Sequence, residues 1–289
     1  MKKLNKYILV VIIFALGLVS CEKEITIKLP DVESKFVIEG SIENDAHPTV
    51  IITKSSPYLD PIDYNTLLNS IVTNAKVFVT DGVLSDSLKL KNTADYPFFY
   101  YSCNNLVGEI GKRYYLTVEV DGQTFSAETT IQNPVIFDSI WYEKKADEDS
   151  VCDVFAIGTD DGSVYNYYRV FTKILSKDIS FVPILGSVWD DKFFNGKTFT
   201  VQLYHGMVSN IYMEDEEFSI HYKLGDTVVS KLCTLDYESY KFWSAAESEI
   251  LSGSNPFTTT TSIPSNIKGG AIGCWTGYCA TFDTIICNN

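Results

Sequence analysis

Over residues 113–120, Tyr114, Leu116, Val118 and Val120 share one face, while Tyr115, Thr117 and Glu119 share the other. Asp121-Gly122 interrupts this alternation, and 123–130 resumes it with Phe125 and Ala127. Two alternating runs joined by Asp-Gly predict a β-hairpin, because that dipeptide accepts the positive φ of a tight two-residue turn. Further strands are predicted at 35–42, 49–53, 75–80, 135–142, 151–157, 165–174 and 198–204. A second hairpin is predicted to join 218–224 to 227–234 through Gly225-Asp226, with Phe218, Ile220, Tyr222 and Leu224 facing inward. The stretch 55–69, holding Pro57 and Pro61, reads as a loop. The period becomes helical once, over Asp236–Leu251, where Tyr237, Tyr240, Trp243 and Ile250 recur, Asp236 can cap and Gly253 follows. The pattern predicts a mainly β fold: an N-terminal Ig-like antiparallel β-sandwich over 35–132, then a second antiparallel β domain over 133–289 with one helix near 236–251. Asn133-Pro134 marks the hinge between them.

The first twenty residues follow another grammar. Lys2, Lys3 and Lys6 make a basic start, 7–19 is uncharged and almost wholly apolar, and Ser20 precedes Cys21. An apolar run of ~13 residues is too short for a bilayer, which needs ~20, and Glu22-Lys23-Glu24 follows at once. The alternative, a transmembrane helix with an incidental cysteine, is disfavoured on length. Residues 1–20 read as a secretory signal, and Leu18-Val19-Ser20-Cys21 resembles a bacterial lipoprotein box, in which the cysteine thiol is acylated and becomes the mature N-terminus. Residues 21–34, punctuated by Pro30, then form a tether.

Charge narrows the partners. The three lysines leave with the signal, taking the formal charge of −14 to −17. Such a polyanion repels nucleic acid and anionic headgroups, so anchoring falls to the lipid, and nucleic-acid binding is excluded as a role. With Cys21 set aside, six of the seven cysteines remain, an even number that an oxidising compartment can pair as disulfides or leave as buried thiols. No CxxC pair or HxxxH partner favours zinc over either.

No catalytic pattern emerges. The three histidines, His47, His205 and His221, show no metal spacing, though His205 beside Gly206 at a strand end is the most site-like. No GxSxG nucleophile elbow exists. Carboxylates cluster at Asp147-Glu148-Asp149, Asp160-Asp161, Asp190-Asp191 and 214–217, which read as solvated acidic loops. Asp160-Asp161-Gly162 lacks the rest of an EF-hand, so calcium would need separate loops, and no metal ligand or cofactor is assigned. Between Asn255 and Gly273, Asn255, Pro256, Phe257, Asn266, Gly269 and Gly270 form either a structural crossover packing on Trp243 or a rigid loop facing a partner or ligand.

Several local patterns then coincide in order: Phe36-Val37-Ile38-Glu39-Gly40; Asp160-Asp161 with Asn166-Tyr167-Tyr168; Trp189-Asp190-Asp191 with Phe194-Asn195-Gly196-Lys197; Tyr240-Lys241-Phe242-Trp243; Asn255-Pro256-Phe257; and 265–273. In this the mature chain resembles the exported lipoproteins of domain-of-unknown-function family 4249. The resemblance implies a β-rich outer-membrane lipoprotein of Gram-negative bacteria, encoded beside a TonB-dependent receptor, with no established catalytic residues. Where relatives often continue Gly-x-Phe-x-Gly, this chain has Gly273-Cys274-Trp275-Thr276-Gly277 with Cys279 nearby, a departure that suggests a Cys274–Cys279 bridge. The expected role is a non-enzymatic accessory or ligand-binding lipoprotein in nutrient uptake, on either face of the outer membrane. The alternatives are a surface glycan or peptide hydrolase using carboxylates, and a structural or adhesive surface protein.

Overall fold

The computed structural model describes residues 33–56, 63–94, 97–146, 148, 150–206, 219–252 and 263–288. The predicted signal, Cys21 and nearly all of the tether lie outside the described residues. Residues 34–289 form one compact unit.

The described elements run β1 (Phe36–Glu43), β2 (Thr49–Lys54), α1 (Tyr64–Ser70), β3 (Lys76–Thr80), β4 (Ser85–Asn92), β5 (Phe99–Ser102), β6 (Arg113–Val120) and β7 (Gln123–Thr130). They continue with β8 (Phe137–Lys144), β9 (Val151–Thr159), β10 (Tyr167–Ile174), β11 (Val182–Asp190), β12 (Thr198–Gln202), β13 (Tyr222–Lys223), β14 (Thr227–Leu235), α2 (Tyr237–Ser252) and β15 (Ile272–Ile286). The fold is mainly β. Asp121 and Gly122 turn β6 into β7 with φ of 50° and 77°, the two positive values of a type I′ turn. The apolar face of that hairpin, from Tyr114 to Ala127, is buried as the alternation requires.

One sheet of eleven strands runs β11-β10-β14-β15-β1-β2-β5-β4-β3-β6-β7. Its strand β4 pairs with β3 through 85–88 and with β5 through 89–92, so the sheet doubles back and closes an apolar core. That core holds Ile38, Ile52, Val77, Val79, Leu116, Val118 and Trp275. A four-stranded sheet, β12-β9-β13 with β8 on β9, covers the other end, and Val154, Ala156, Val170, Val228 and Leu232 fill the core beneath it.

β15 belongs to both ends. It lies parallel to β1, from Val37↔Ile272 to Glu43↔Tyr278, and antiparallel to β14, from Thr227↔Ile286 to Thr234↔Cys279. Asn133-Pro134 falls between the two large cores in sequence, yet Ile267, Ala271, Trp275 and Cys279 pack in the first one. Two expectations are corrected. The stretch read as a loop contains α1, whose first turn is capped when the Thr66 amide donates to Asp63 Oδ1 at 2.7 Å. The second hairpin does not form: Tyr222 and Lys223 pair with Cys152 and Val151 of β9, whereas β14 pairs with β10 and β15. Gly225-Asp226 therefore crosses between sheets, and the Asp226 carboxylate accepts from the Lys223 amide at 2.9 Å.

Candidate functional site

Alternation along β10 turns Tyr168 into the core and leaves Tyr167 and Arg169 on the face covered by α2. The helix starts at a doubly used cap. Asp236 Oδ1 accepts from the Ser239 amide at 2.8 Å, and its Oδ2 accepts from the Thr129 hydroxyl at 2.6 Å and the Thr130 amide at 3.2 Å. Further along, Glu247 accepts from the Ser187 and Val188 amides at 2.8 and 3.2 Å, which ties the helix to the β11 edge. An i, i+3 spacing sets Tyr237 and Tyr240 on one side of the helix, where both meet Tyr167. The rings of Tyr167 and Tyr240 stack at 4.7 Å, and Tyr165 adds an edge contact with Tyr167 at 5.3 Å. Tyr165 and Tyr237 are 45% and 51% exposed, so the cluster opens to solvent. Desolvation, then a hydrogen bond to the Asp190 carboxylate, pushes the Tyr165 phenol up to about 12; burial also raises Tyr167 and Tyr240. Those three phenols are therefore neutral near pH 7, and the cluster offers apolar rings and phenolic hydroxyls.

Two acidic loops brace this cluster. Asp160 is buried, and its carboxylate accepts from the Tyr168 hydroxyl, from Asn166 Nδ2 at 3.2 Å and from the Gly196 amide at 2.8 Å. Asp191, fully buried, accepts from the Asn166 amide at 2.7 Å, while its Oδ1 has no partner among the described residues. Burial raises the Asp191 carboxyl, the Asn166 amide opposes that, and Asp160 adds to it. These acids hold the 160–166 and 191–197 loops together. Among the described residues, no group of three metal-binding side chains assembles.

Beneath α2, the same sheet face holds two cations among aromatic rings. The Arg169 guanidinium lies 3.5 Å from the Trp243 ring centroid and 4.9 Å from that of Phe171, and donates to the Tyr278 hydroxyl at 2.6 Å. Lys231 pairs with Glu43 and sits 5.4–5.9 Å from the rings of Phe171, Phe181, Tyr278 and Phe282. Cation–π contact offsets part of the desolvation of each charge. Glu39 shares this face, where desolvation raises its carboxyl against the pull of Arg169.

The residues singled out from sequence scatter. Asn255, Pro256 and Phe257 lie outside the described residues. Asn266 clasps the Trp275 backbone, with Nδ2 donating to the carbonyl at 2.8 Å and Oδ1 accepting from the amide at 2.9 Å. Gly269, at φ 102°, passes so close to the Thr124 carbonyl that a Cβ would come within 2.6 Å of it; Gly270, at φ 98°, faces open space. The segment 263–271 thus docks on β7 as a crossover, with Lys268 bridging Ser126. The Cys274–Cys279 bridge is corrected: the two cysteines stand five residues apart on β15, about 16 Å of extended chain, against a usual Cα separation of at most ~7 Å in a disulfide. Burial pushes Cys233 and Cys274 up to about 12 and Cys279 up to about 11, so none is a thiolate near pH 7. His205 is buried and contacts Asp178 at 3.0 Å, and His221 contacts Asp153 at 2.5 Å. The tyrosine cluster was not picked out, although Tyr165 and Tyr167 share one parity and Tyr237 and Tyr240 one helix side.

The architecture defines a mainly β protein with two large apolar cores sharing a strand, and with an aromatic face built where a helix crosses the sheet. The chain belongs to the family described as domain of unknown function DUF4249, whose model matches residues 22–281. No curated protein matches it.

Proposed function

We propose that this protein is a non-enzymatic outer-membrane lipoprotein, held by lipid on Cys21, that acts as an accessory or ligand-binding partner of a TonB-dependent receptor in nutrient uptake. The observation that carries the binding role is the tyrosine cluster, in which Tyr165 and Tyr237 are about half exposed. By contrast, the Asp160 carboxylate is taken up by bonds that fasten the loops. Aromatic side chains of this kind supply contact area at low entropic cost. The Leu18-Val19-Ser20-Cys21 box and the acidic charge support anchoring by lipid rather than by electrostatic adhesion.

The test is extraction of the native protein in mild detergent. Fatty acid on Cys21 and co-elution with a receptor are expected, together with release from the membrane fraction in Cys21→Ser. Tyr165→Ala combined with Tyr237→Ala is expected to weaken co-elution while leaving anchoring intact. Retention of residues 1–20, or elution alone from cells rich in receptor, overturns the proposal.

A further inference from the structure

Two buried thiols from opposite sheets meet at the end of the chain. Cys152 lies on β9, opposite Tyr222 of β13. Cys287 directly follows β15, and its amide donates to the Asp226 carbonyl at 2.9 Å while its own carbonyl accepts from the Gly225 amide at 2.5 Å. The turn after β13 therefore carries Cys287 to the strand that rests on Cys152. Both cysteines are free thiols fully buried in one apolar core, where each shifts the other's acidity. The other thiols lean elsewhere: Cys103 donates to the Leu106 carbonyl at 3.8 Å, and Cys274 contacts the Thr276 hydroxyl at 3.2 Å.

We propose that Cys152 and Cys287 are joined as a disulfide in the exported protein, a covalent staple between the four-stranded sheet and the end of β15. The compartment, though not the pairing, rests on the export reading above. The chemistry is thiol–disulfide exchange with an external disulfide as oxidant. One thiolate attacks that disulfide and expels one reduced thiol; the second thiolate attacks the mixed disulfide and expels the other. Two cysteine S–H bonds are lost and one S–S bond forms, and the two electrons and two protons leave on the reduced oxidant. Burial pushes the Cys152 thiol up to about 12, so the native, reduced protein reacts slowly. Oxidation belongs to folding, before this core closes.

The full-length chain, reduced and denatured in detergent, is refolded in a glutathione redox buffer, alkylated and digested without reductant. A peptide linking Cys152 to Cys287 is expected. Closing so long a loop should raise Tm by roughly 5–10 °C over the reduced form, a reductant-sensitive gain absent from C152A/C287A. Recovery of both cysteines as free thiols, or linked to other cysteines, overturns the pairing whatever the fate of the lipid anchor. A bond made in refolding but missing from protein alkylated directly in cells overturns the claim for the exported molecule and turns suspicion on the export reading.

Discussion

The two ends of the molecule bury different things. Among the described residues before Asn133, only Ser102 and Thr129 are buried polar side chains; after it the set includes Asp160, Arg169, Asp191, His205, Asp226 and five further hydroxyl residues between Thr172 and Ser239. Among the described residues, the buried side-chain atoms without partners all lie after Asn133, on Arg169, Thr172, Ser187, Asp191, Tyr222 and Ser239. An unsatisfied buried polar group costs about 1–3 kcal/mol, so this end is less stable than an apolar repacking of similar volume would be. The first end is organised for folding. The second accepts a stability cost, and what it gains is position: acids and cations fix the loops and helix that hold the tyrosine rings against solvent.

Removing packing from the first core should have the largest effect. Trp275 is fully buried and donates from Nε1 to the Tyr114 carbonyl at 3.1 Å. Trp275→Ala should lose about 3–5 kcal/mol in urea unfolding. A loss below about 1 kcal/mol would mean that this core is loosely packed, and the contrast would fail. At the other end, Tyr168→Phe deletes a hydroxyl donor but leaves Asp160 its bonds from Asn166 and Gly196. A loss of about 1–2 kcal/mol is expected, with the ring packing preserved. A loss as large as that from Trp275→Ala would show that the acidic loops are as central to folding as the apolar core.

That contrast also explains what could be read from sequence. β6 and β7 were legible because one face is apolar and the other polar, and because Asp121-Gly122 supplies both positive φ values. α2 was legible from Asp236, whose carboxylate does cap it. β15 was not: from Gly273 to Ala280 every residue is buried, so no alternation survives, and its partner β1 lies over two hundred residues earlier. β13 misled for a related reason, since local alternation fixes which residues face inward but not which sheet receives them. The acidic motifs were visible as residues, but Asp160 and Asp191 read as solvated because charge alone carries no sign of burial.

The smallest expected effect concerns the sign of a pH dependence. The folded protein raises the Asp191 carboxyl above its ordinary range, chiefly by burial. Over the window between the unfolded value, about 3.9, and the higher folded one, the native state binds more protons than the unfolded state. Stability from this site is therefore fully present at the acid end and is lost as pH climbs through that window. Asp191→Asn cannot titrate, can still accept from the Asn166 amide, and places a neutral group where the unpartnered oxygen lies. The variant should match wild type within about 1 kcal/mol near pH 4 and gain on it toward pH 7. Urea midpoints across that range measure the divergence. Parallel curves, or a wild type that gains on the variant as pH rises, would mean that the charge at Asp191 is compensated, and the second end would then carry less cost than its unpartnered atoms indicate.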